Sequence, residues 1–428
     1  MAKKMNEYEQ SEKGCRGAQI GHTTLIQFLD ANFRLNEHHE QNGDRRFAQC
    51  VWGNAGLGKT MMVETFRNRP VVWRGTEFKG YHVQPVPIAQ FEEMGDLHGM
   101  PMTEFLMRNN GDQLWVSETG VAQYQSLGWQ IDATVAPRTK FAPPDWVPRE
   151  PGPSILLLDD WNRASIRIIK GIMQLLQNYG MVSWALPPGC NIVLTGNPDE
   201  QSYLVTSIDS AITTRIKHVT LMRDEKAWAV WAEASGIDPR VISYVLRYPE
   251  MMCVGEMTNP RTLAEFGRFL RTVESIEDNK EKVMLHGKSL LEPDTVTSFM
   301  IFATRDMGMI VEPQQILDGD PKAAKYLKGL MERKEKRIDI VNVTLERLFA
   351  HMVQPASIPD DKKEAERRKK NFQAFIEQDW IPVDMRHSFC NRLLDYFRDD
   401  DEGRSRAKFW ILGSKRLMEL ILETLNEV

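Results

Sequence analysis

The sequence predicts an α/β fold in its first half, a parallel β-sheet flanked by helices, followed by an all-helical lid and a helical C-terminal region. Short apolar runs rich in β-branched residues or leucine alternate with helical stretches such as Thr60–Phe66 and Ala164–Tyr179, which is typical of parallel sheets covered by helices. After about Arg223 these runs stop, and amphipathic helical patterns follow one another. The predicted strands are Phe47–Trp52, His82–Ile88, Ile155–Leu158, Asn191–Thr195 and Ile216–Leu221.

The length of 428 residues is too great for one ordinary domain. We expect a flexible N-terminus over 1–20, an α/β core over 21–222 with an insertion at about 71–150, a helical lid over 223–280 and a helical extension over 281–428. The lid contains a clear helix start, in which Asn259 is the N-cap and Pro260 occupies the first turn. Helices are predicted in the extension at 293–306, 321–336, 338–353, 361–378, 384–398 and 406–427.

The composition argues against several classes of protein. Apolar residues make up 42% and charged residues 26%, as in soluble globular proteins. No apolar run approaches the roughly 18 residues of a membrane span, and no apolar stretch follows the first lysines, so we expect neither a span nor a secretory signal. The five cysteines are scattered without a CxxC pair, which disfavours disulfides and zinc and suits the cytoplasm.

A glycine-rich pattern between a predicted strand and a predicted helix points to phosphate binding. It matches G-x-x-x-x-G-K-[ST] in full and consists of Gly53, Asn54, Ala55, Gly56, Leu57, Gly58, Lys59 and Thr60. The glycines let backbone N–H groups turn toward phosphate oxygens, and the helix N-terminus adds the positive end of its dipole. Lys59 supplies charge for the β- and γ-phosphates, and the Thr60 hydroxyl is suited to bind Mg²⁺. The sequence therefore predicts a nucleoside triphosphate site.

Two adjacent carboxylates, Asp159 and Asp160, end the predicted strand that begins at Ile155. Neighbouring like charges repel, so their position calls for a compensating partner. In P-loop proteins a buried strand typically ends in an acid near the magnesium ion. We predict that Asp159 binds Mg²⁺ through a metal-bound water, and that Asp160 orients, or accepts the proton of, the water that attacks the γ-phosphate. A bound divalent cation would also relieve the repulsion.

With these motifs in place, the sequence resembles an AAA+ ATPase, and within that class the MoxR-type branch. The segment LLLDDWNRA is similar to the family's acidic strand end followed by Asn-Arg-Ala, and DLHG, which begins at Asp96, resembles the family's Asp-Leu-x-Gly segment. The resemblance covers about residues 18–275 and its elements occur in the family's order. It implies ATP and Mg²⁺ as cofactors.

The resemblance also assigns roles to three further polar residues. NIVLTGNP looks like the sensor-1 strand, in which Asn197 would help to hold the attacking water. DSAITTR resembles the turn that carries an arginine finger, so Arg215 would reach into a neighbouring subunit's site. NPRT resembles the sensor-2 element of the lid, which makes Arg261 a γ-phosphate ligand. The structural alternatives are a turn residue for Asn197 and surface arginines for the other two.

Two features depart from the family's pattern. The family's second acid is usually glutamate, whereas Asp160 is one methylene shorter, so we expect slow hydrolysis or a site that a partner must close. The insertion offers Lys79–Pro101, with Tyr81, as a candidate pore loop or partner-binding element. MVSWALPPGC resembles the family's pre-sensor hairpin, where Trp184 is either an exposed gripping group or a packed core residue.

The expected function is Mg²⁺-dependent ATP hydrolysis by a homo-oligomeric ring, because an arginine finger supplied in trans requires a neighbouring subunit. The resemblance implies a hexamer that remodels or activates a protein client, together with a von Willebrand A-domain partner. A nucleic-acid-dependent motor, such as a helicase loader or translocase, is disfavoured by the net charge of −5 and by the absence of a recognisable DNA-binding motif. A slowly hydrolysing, nucleotide-gated scaffold is the third hypothesis, and it is motivated by Asp160.

Overall fold

The computed structural model describes residues 16–198, 210–305, 310–396, 401–414 and 417. The chain divides into two compact units, Met1–Arg223 and Asp224–Val428. The first unit contains the predicted α/β core, and the second is built from helices. No helix among the described residues is long and apolar enough to cross a membrane.

The first unit contains twelve described strands and six described α-helices. The strands are β1 Ala18–Ile20, β2 Ala48–Trp52, β3 Val71–Trp73, β4 Thr76–Phe78, β5 His82–Pro87, β6 Met100–Asn109, β7 Asp112–Ser117, β8 Gln130–Ile131, β9 Arg138–Ala142, β10 Ser154–Asp159, β11 Cys190–Gly196 and β12 Ile216–Leu221. The helices are α1 His22–Asn42, α2 Lys59–Glu64, α3 Met94–His98, α4 Val121–Ser126, α5 Ile166–Asn178 and α6 Ser210–Thr213.

Six of these strands form one parallel sheet in the spatial order β1-β12-β2-β11-β10-β5. The five predicted strands are confirmed as β2, β5, β10, β11 and β12. On one face of the sheet, side chains of β10 and β11 pack against α5, and α1 and α2 lie against strands on the other face. Because both faces are covered, the central strands need continuous apolar runs rather than alternating ones.

One expectation for the N-terminus is wrong. Of the stretch predicted to be loose, residues 1–15 lie outside the described part of the chain, whereas Ala18–Ile20 form the edge strand β1. Ala18 is the register partner of Val219, and Arg16 and Thr220 exchange two hydrogen bonds of 3.0 Å. This pairing uses backbone groups, so the polar composition of the stretch concealed it.

The segment predicted as an insertion, 71–150, contributes to two different parts of the unit. Its strand β5 belongs to the central sheet, where it pairs with β10. The additional structure consists of the β3–β4 hairpin and an antiparallel sheet in which β6 pairs with β7, β8 and β9. Tyr81, named in the candidate pore loop or partner-binding element Lys79–Pro101, is buried, and its ring packs against Phe33 and Phe66. We therefore exclude Tyr81 from any exposed loop.

The named elements described in the second unit are all helices. Its helices are α7 Glu225–Ala234, α8 Pro239–Arg247, α9 Pro260–Leu270, α10 Lys280–Leu290, α11 Pro293–Arg305, α12 Pro313–Leu317, α13 Pro321–Met331, α14 Ile338–Met352, α15 Lys362–Ile376, α16 Val383–Tyr396 and α17 Asp401–Ile411. The predicted helix at 406–427 coincides with the end of α17, and most of its remaining length lies outside the described residues.

Side-chain caps set the starts of several of these helices. Asn259 accepts hydrogen bonds from the backbone N–H groups of Arg261 and Thr262, at 3.0 and 3.2 Å, which confirms the predicted cap of α9. Helix α14 supplies residues to both apolar clusters of the unit, Val343 to one and Leu348 to the other. Helix α14 is therefore part of both the apolar cluster that contains the predicted lid and the cluster of the predicted extension.

Candidate functional site

The predicted site residues of the first unit meet at the carboxyl ends of three neighbouring strands. The P-loop follows β2, Asn197 follows β11, and Asp159 ends β10. Since β11 lies between β2 and β10 in the sheet, the three ends are adjacent. Ligands of open parallel sheets bind at this edge.

The P-loop has the backbone conformation that its glycines predict. Gly56 and Gly58 have φ angles of 81° and 87°, a region in which only glycine is free of steric cost. No side chain caps the start of α2, which begins at Lys59. The loop and the helix start are therefore built as backbone suited to an anion.

Lys59 lies under this loop with only 7% of its surface exposed. Its Nζ donates to the carbonyl oxygens of Gly53 and Asn54, at 2.7 and 3.1 Å, and to Asn197 Oδ1 at 3.0 Å. The ammonium group is thus held between the P-loop and the strand end that carries the sensor candidate. A buried cation in this position favours an anionic ligand such as a triphosphate.

The two predicted magnesium ligands are in direct contact. Thr60 Oγ1 donates to Asp159 Oδ1 at 2.7 Å, and the same carboxylate oxygen accepts from Thr195 Oγ1 at 2.5 Å. Hydroxyl and carboxylate oxygens are the donors that Mg²⁺ prefers, and Mg²⁺ sites in nucleotide enzymes use one or two carboxylates together with phosphates and waters. Within the described ranges, no group of three or more His, Cys, Asp or Glu side chains is arranged to hold a metal. The Thr60–Asp159 pair supplies two oxygen donors of the kind that Mg²⁺ accepts.

The backbone at Asp160 explains why this position is an aspartate. Its φ and ψ are 49° and 37°, in the left-handed region, which Asp and Asn adopt more readily than longer side chains. Its N–H donates to Thr195 Oγ1 at 3.0 Å, and its Oδ1 accepts from Asn197 Nδ2 at 3.0 Å. Its second oxygen lies 3.6 Å from a guanidinium nitrogen of Arg163. The carboxylate is thus oriented by two strand ends while 38% of its side chain stays exposed.

No family model and no curated protein matches this sequence. Among solved structures, the chain is similar to the Thermotoga maritima RuvB Holliday junction branch migration motor, with 13% identity, 72% of this chain and 76% of that chain covered, and a TM-score of 0.30. A point mutant of the same RuvB aligns at 13% identity over 68% of this chain and 75% of that chain, with a TM-score of 0.31. Closed-state Hsp104 with ATPγS and FITC casein aligns at 14% identity over 54% of this chain and 37% of that chain, with a TM-score of 0.29.

Asn197 is held by a reciprocal pair of hydrogen bonds with a second asparagine. Asn162 Nδ2 donates to the Asn197 carbonyl oxygen at 2.8 Å, and the Asn197 N–H donates to Asn162 Oδ1 at 3.2 Å. Both residues are buried, at 1% and 2% exposure. The clamp leaves the Asn197 side chain directed at Lys59 and Asp160, and its role as a sensor stays a prediction.

The two predicted arginines are placed outside this cluster. Arg215 follows α6, and its guanidinium group donates to the Ala211 carbonyl oxygen and, at 3.4 Å, to Gln177 Oε1. Asp209, at the start of the predicted finger turn, lies outside the described residues. Arg261 is exposed in the first turn of α9, in the second unit. The roles of both arginines stay predictions.

Thr195 and Asn162 are the site residues that sequence reasoning did not single out. Thr195 is fully buried, and its hydroxyl accepts from the Asp160 N–H and donates to Asp159. The available signal was a polar residue inside an apolar run, two residues before the sensor asparagine. For Asn162 the signal was its place two residues after Asp160, at the start of the Asn-Arg-Ala segment.

The hairpin before β11 does not present Trp184 as a free gripping group. The Trp184 indole N–H donates to the His98 carbonyl oxygen at 3.0 Å, and its ring packs edge-on against Trp146 at 5.7 Å. The exposed apolar residue at the tip is Val182, at 63%. Of the two alternatives, the packed one is thus confirmed, because the indole nitrogen finds its partner inside the fold.

Proposed function

We propose that this chain is a Mg²⁺-dependent ATPase of the AAA+ class. The observation that supports the proposal is the convergence of a P-loop lysine, a hydroxyl–carboxylate pair and an amide–carboxylate pair within one hydrogen-bonded network. Each pair supplies one need of phosphoryl transfer: charge for the phosphates, ligands for the metal, and orientation of a water. No single motif supplies all three.

The residues divide the work as their contacts suggest. Lys59 would exchange its bonds to loop carbonyls for the β- and γ-phosphates. Thr60 and Asp159 would hold Mg²⁺, which would supply charge neutralisation at the phosphates when bound. Asp160 accepts a proton from the attacking water, since 38% of its side chain is exposed and so accessible to a water. Asn197 orients the Asp160 carboxylate through its amide and so positions that water.

The test is steady-state ATP hydrolysis with and without Mg²⁺, together with the affinity for ATP. Lys59→Ala should abolish ATP binding, whereas Lys170→Ala, an exposed lysine on α5, should leave it unchanged. Asp160→Asn should keep ATP affinity and lower turnover by about 100-fold or more. Unaltered ATP binding by Lys59→Ala would contradict the proposal at its base.

For the assembly, we propose a homo-oligomeric ring, most simply a hexamer, that remodels or activates a protein client with a von Willebrand A-domain partner. The support is the resemblance together with Arg215, which follows the short helix α6 and is only half-buried. An Asp160→Asn variant held in ATP should migrate as a ring and retain the client in a pull-down. If only monomers were recovered, both the proposed ring and the proposed role of Arg215 as a finger in trans would be contradicted.

A protein client is favoured over nucleic acid by the charges of the insertion sheet. Its basic side chains are paired with acids: Arg108 with Asp132 at 2.6 Å, and Arg138 and Lys140 with Glu104 at 2.8 and 3.6 Å. Cations that are already neutralised contribute little to phosphate binding. Stimulation of ATPase activity by DNA, lost at high salt, would instead favour the nucleic-acid motor.

A further inference from the structure

A buried tryptophan and a histidine connect the ATP site to the turn that carries Arg215. Trp52 Nε1 donates to His218 Nδ1 at 2.9 Å, and the two rings stack with centroids 6.0 Å apart. The other ring nitrogen of His218, Nε2, lies 2.9 Å from the carbonyl oxygen of Thr213. Since Nδ1 accepts a hydrogen bond, Nε2 must carry the proton and donate. Both nitrogens of a neutral imidazole are thus used.

The tryptophan end of this connection lies within the site. Trp52 is the last residue of β2 and directly precedes Gly53, and it is 1% exposed. Its ring lies so close to Gly196 that a Cβ there would stand 2.7 Å from the indole, and its centroid is 6.1 Å from that of Trp161. Gly196 precedes Asn197 and Trp161 follows Asp160. Because this packing is close, a displacement of any of these strand ends should also displace the Trp52 ring.

The histidine end reaches the finger candidate. Thr213 is the last residue of α6, and the Arg215 N–H donates to the Ile212 carbonyl oxygen at 2.9 Å. His218 lies on β12, the strand that this turn enters. The imidazole thus ties the turn to a strand and, through Trp52, to the P-loop.

We propose that His218 is a positioning residue that sets the Arg215 turn relative to the chain's own nucleotide site, so that Arg215 is correctly placed for the neighbouring subunit. The inference rests on the proposed function, because it takes Arg215 to act in trans. His218 touches no reacting group; it acts through the Thr213 carbonyl on one side and the Trp52 indole on the other.

The same geometry predicts a dependence on the protonation of His218. Burial lowers its pKa, the hydrogen bond to Thr213 opposes this, and the charge of Arg16 lowers the pKa further. Arg16 is the charged group that faces it, with its guanidinium carbon 4.9 Å from the Trp52 ring centroid. Cys50, the register partner of His218 on β2, is neutral because burial raises its thiol pKa. A protonated Nδ1 would oppose the Trp52 N–H, so the connection is lost as pH falls below the ordinary histidine range.

The decisive experiment mixes two kinds of subunit. A donor chain carries Asp160→Asn, which stops its own hydrolysis and keeps its Arg215. An acceptor chain carries Arg215→Ala, which keeps its own site and lacks the finger. Mixed rings should hydrolyse ATP faster than either chain alone. His218→Phe is then placed either in the donor or in the acceptor, so that both mixtures contain the same substituted side chain, and ring assembly is checked by size-exclusion chromatography.

We expect His218→Phe in the donor to remove the restored activity, by about 100-fold, since a misplacement of about 1 Å costs this much. The same substitution in the acceptor should leave the restored activity unchanged. A similar fall in both placements would mean a structural role only, and no fall in the donor would also overturn the inference. Failure of the parent mixture, without any change at His218, would instead refute the trans finger of the proposed function and the inference with it.

A second variant separates positioning from packing. A His218→Gln donor keeps an N–H donor near the Nε2 position and does not titrate. It should restore more activity than the His218→Phe donor and should lack the fall in restored activity that the parent donor shows at acidic pH. Identical pH profiles for the parent and His218→Gln donors would contradict the role given to the neutral imidazole.

Discussion

Thr60 Oγ1 donates a 2.7 Å hydrogen bond to Asp159 Oδ1, although 99 residues separate the two in the chain. The contact exists because β2 and β10 run parallel with only β11 between them. Two oxygen donors suited to magnesium are thereby placed together by the sheet and by α2. The network that surrounds this pair yields three predictions, and a histidine–glutamate pair in the second unit yields a fourth.

Thr195 should be needed for both acids. Thr195→Val preserves shape and removes the hydroxyl that accepts from the Asp160 N–H and donates to Asp159. We expect the free energy of unfolding to fall by about 1–3 kcal/mol, since the Asp160 N–H loses its partner and Asp159 keeps only the hydrogen bond from Thr60, and turnover to fall by about tenfold or more. Thr195→Ser is the matched control and should stay near wild type in urea unfolding and in ATPase rate. Equal behaviour of the Val and Ser variants would count against this role.

Asn162 should position the sensor candidate without binding nucleotide. Asn162→Ala leaves the backbone N–H and carbonyl of Asn197 without their partner. Turnover should fall while ATP affinity changes little, and stability should drop by about 1–3 kcal/mol for each buried group left unpaired. Asn162→Asp keeps the acceptor and loses the donor, so its turnover and stability should lie between those of wild type and of Asn162→Ala. A rise in the dissociation constant for ATP as large as the fall in turnover would assign Asn162 to binding instead.

Lengthening Asp160 should cost stability. Residue 160 is left-handed, with φ of 49°, so Asp160→Glu should lower the free energy of unfolding by about 1 kcal/mol, whereas Asp160→Asn should not. The turnover of Asp160→Glu, measured beside that of wild type, then tests whether the shorter Asp160 side chain reaches the attacking water. Little hydrolysis in both proteins would support the slow scaffold over the motor.

In the second unit, His351 and Glu233 should shape the pH dependence of stability in opposite directions. Burial is the largest cause of both shifts: it lowers the pKa of His351, aided by Arg368 and Arg347, and it raises the pKa of Glu233. The neutral His351 is therefore favoured by folding, and its contribution is lost as pH falls below about 6.5. The neutral Glu233 is also favoured, so its contribution is regained as pH falls toward its raised pKa.

Urea unfolding between pH 7 and pH 5 measures this balance. His351→Gln should flatten the loss of stability on acidification, and Glu233→Gln should make it steeper. The carboxylate and imidazole lie 3.9 Å apart, so the double variant reports their coupling. If the free energies of unfolding of wild type and of the two single variants followed parallel pH profiles, neither group would contribute.

The sequence by itself determined the class of fold and most of the site in the first unit. The P-loop pattern, the acidic strand end and Asn197 depend on local spacing, since a strand followed by a turn places its next residues at the carboxyl edge whatever the rest of the chain does. The continuous apolar runs indicated a sheet covered on both faces, and the cap at Asn259 is a local signal as well.

Only the tertiary structure decided which residues face one another. The Thr195 hydroxyl, the Asn162 clamp and the Trp52–His218 connection join strand ends distant in sequence, and no periodicity encodes such pairs. The edge strand β1 depends on backbone pairing with β12, and the burial of Tyr81 and the packing of Trp184 depend on rings brought in from elsewhere. The left-handed backbone of Asp160, which makes aspartate the suitable acid at this site, likewise follows from the packing that turns the chain out of β10.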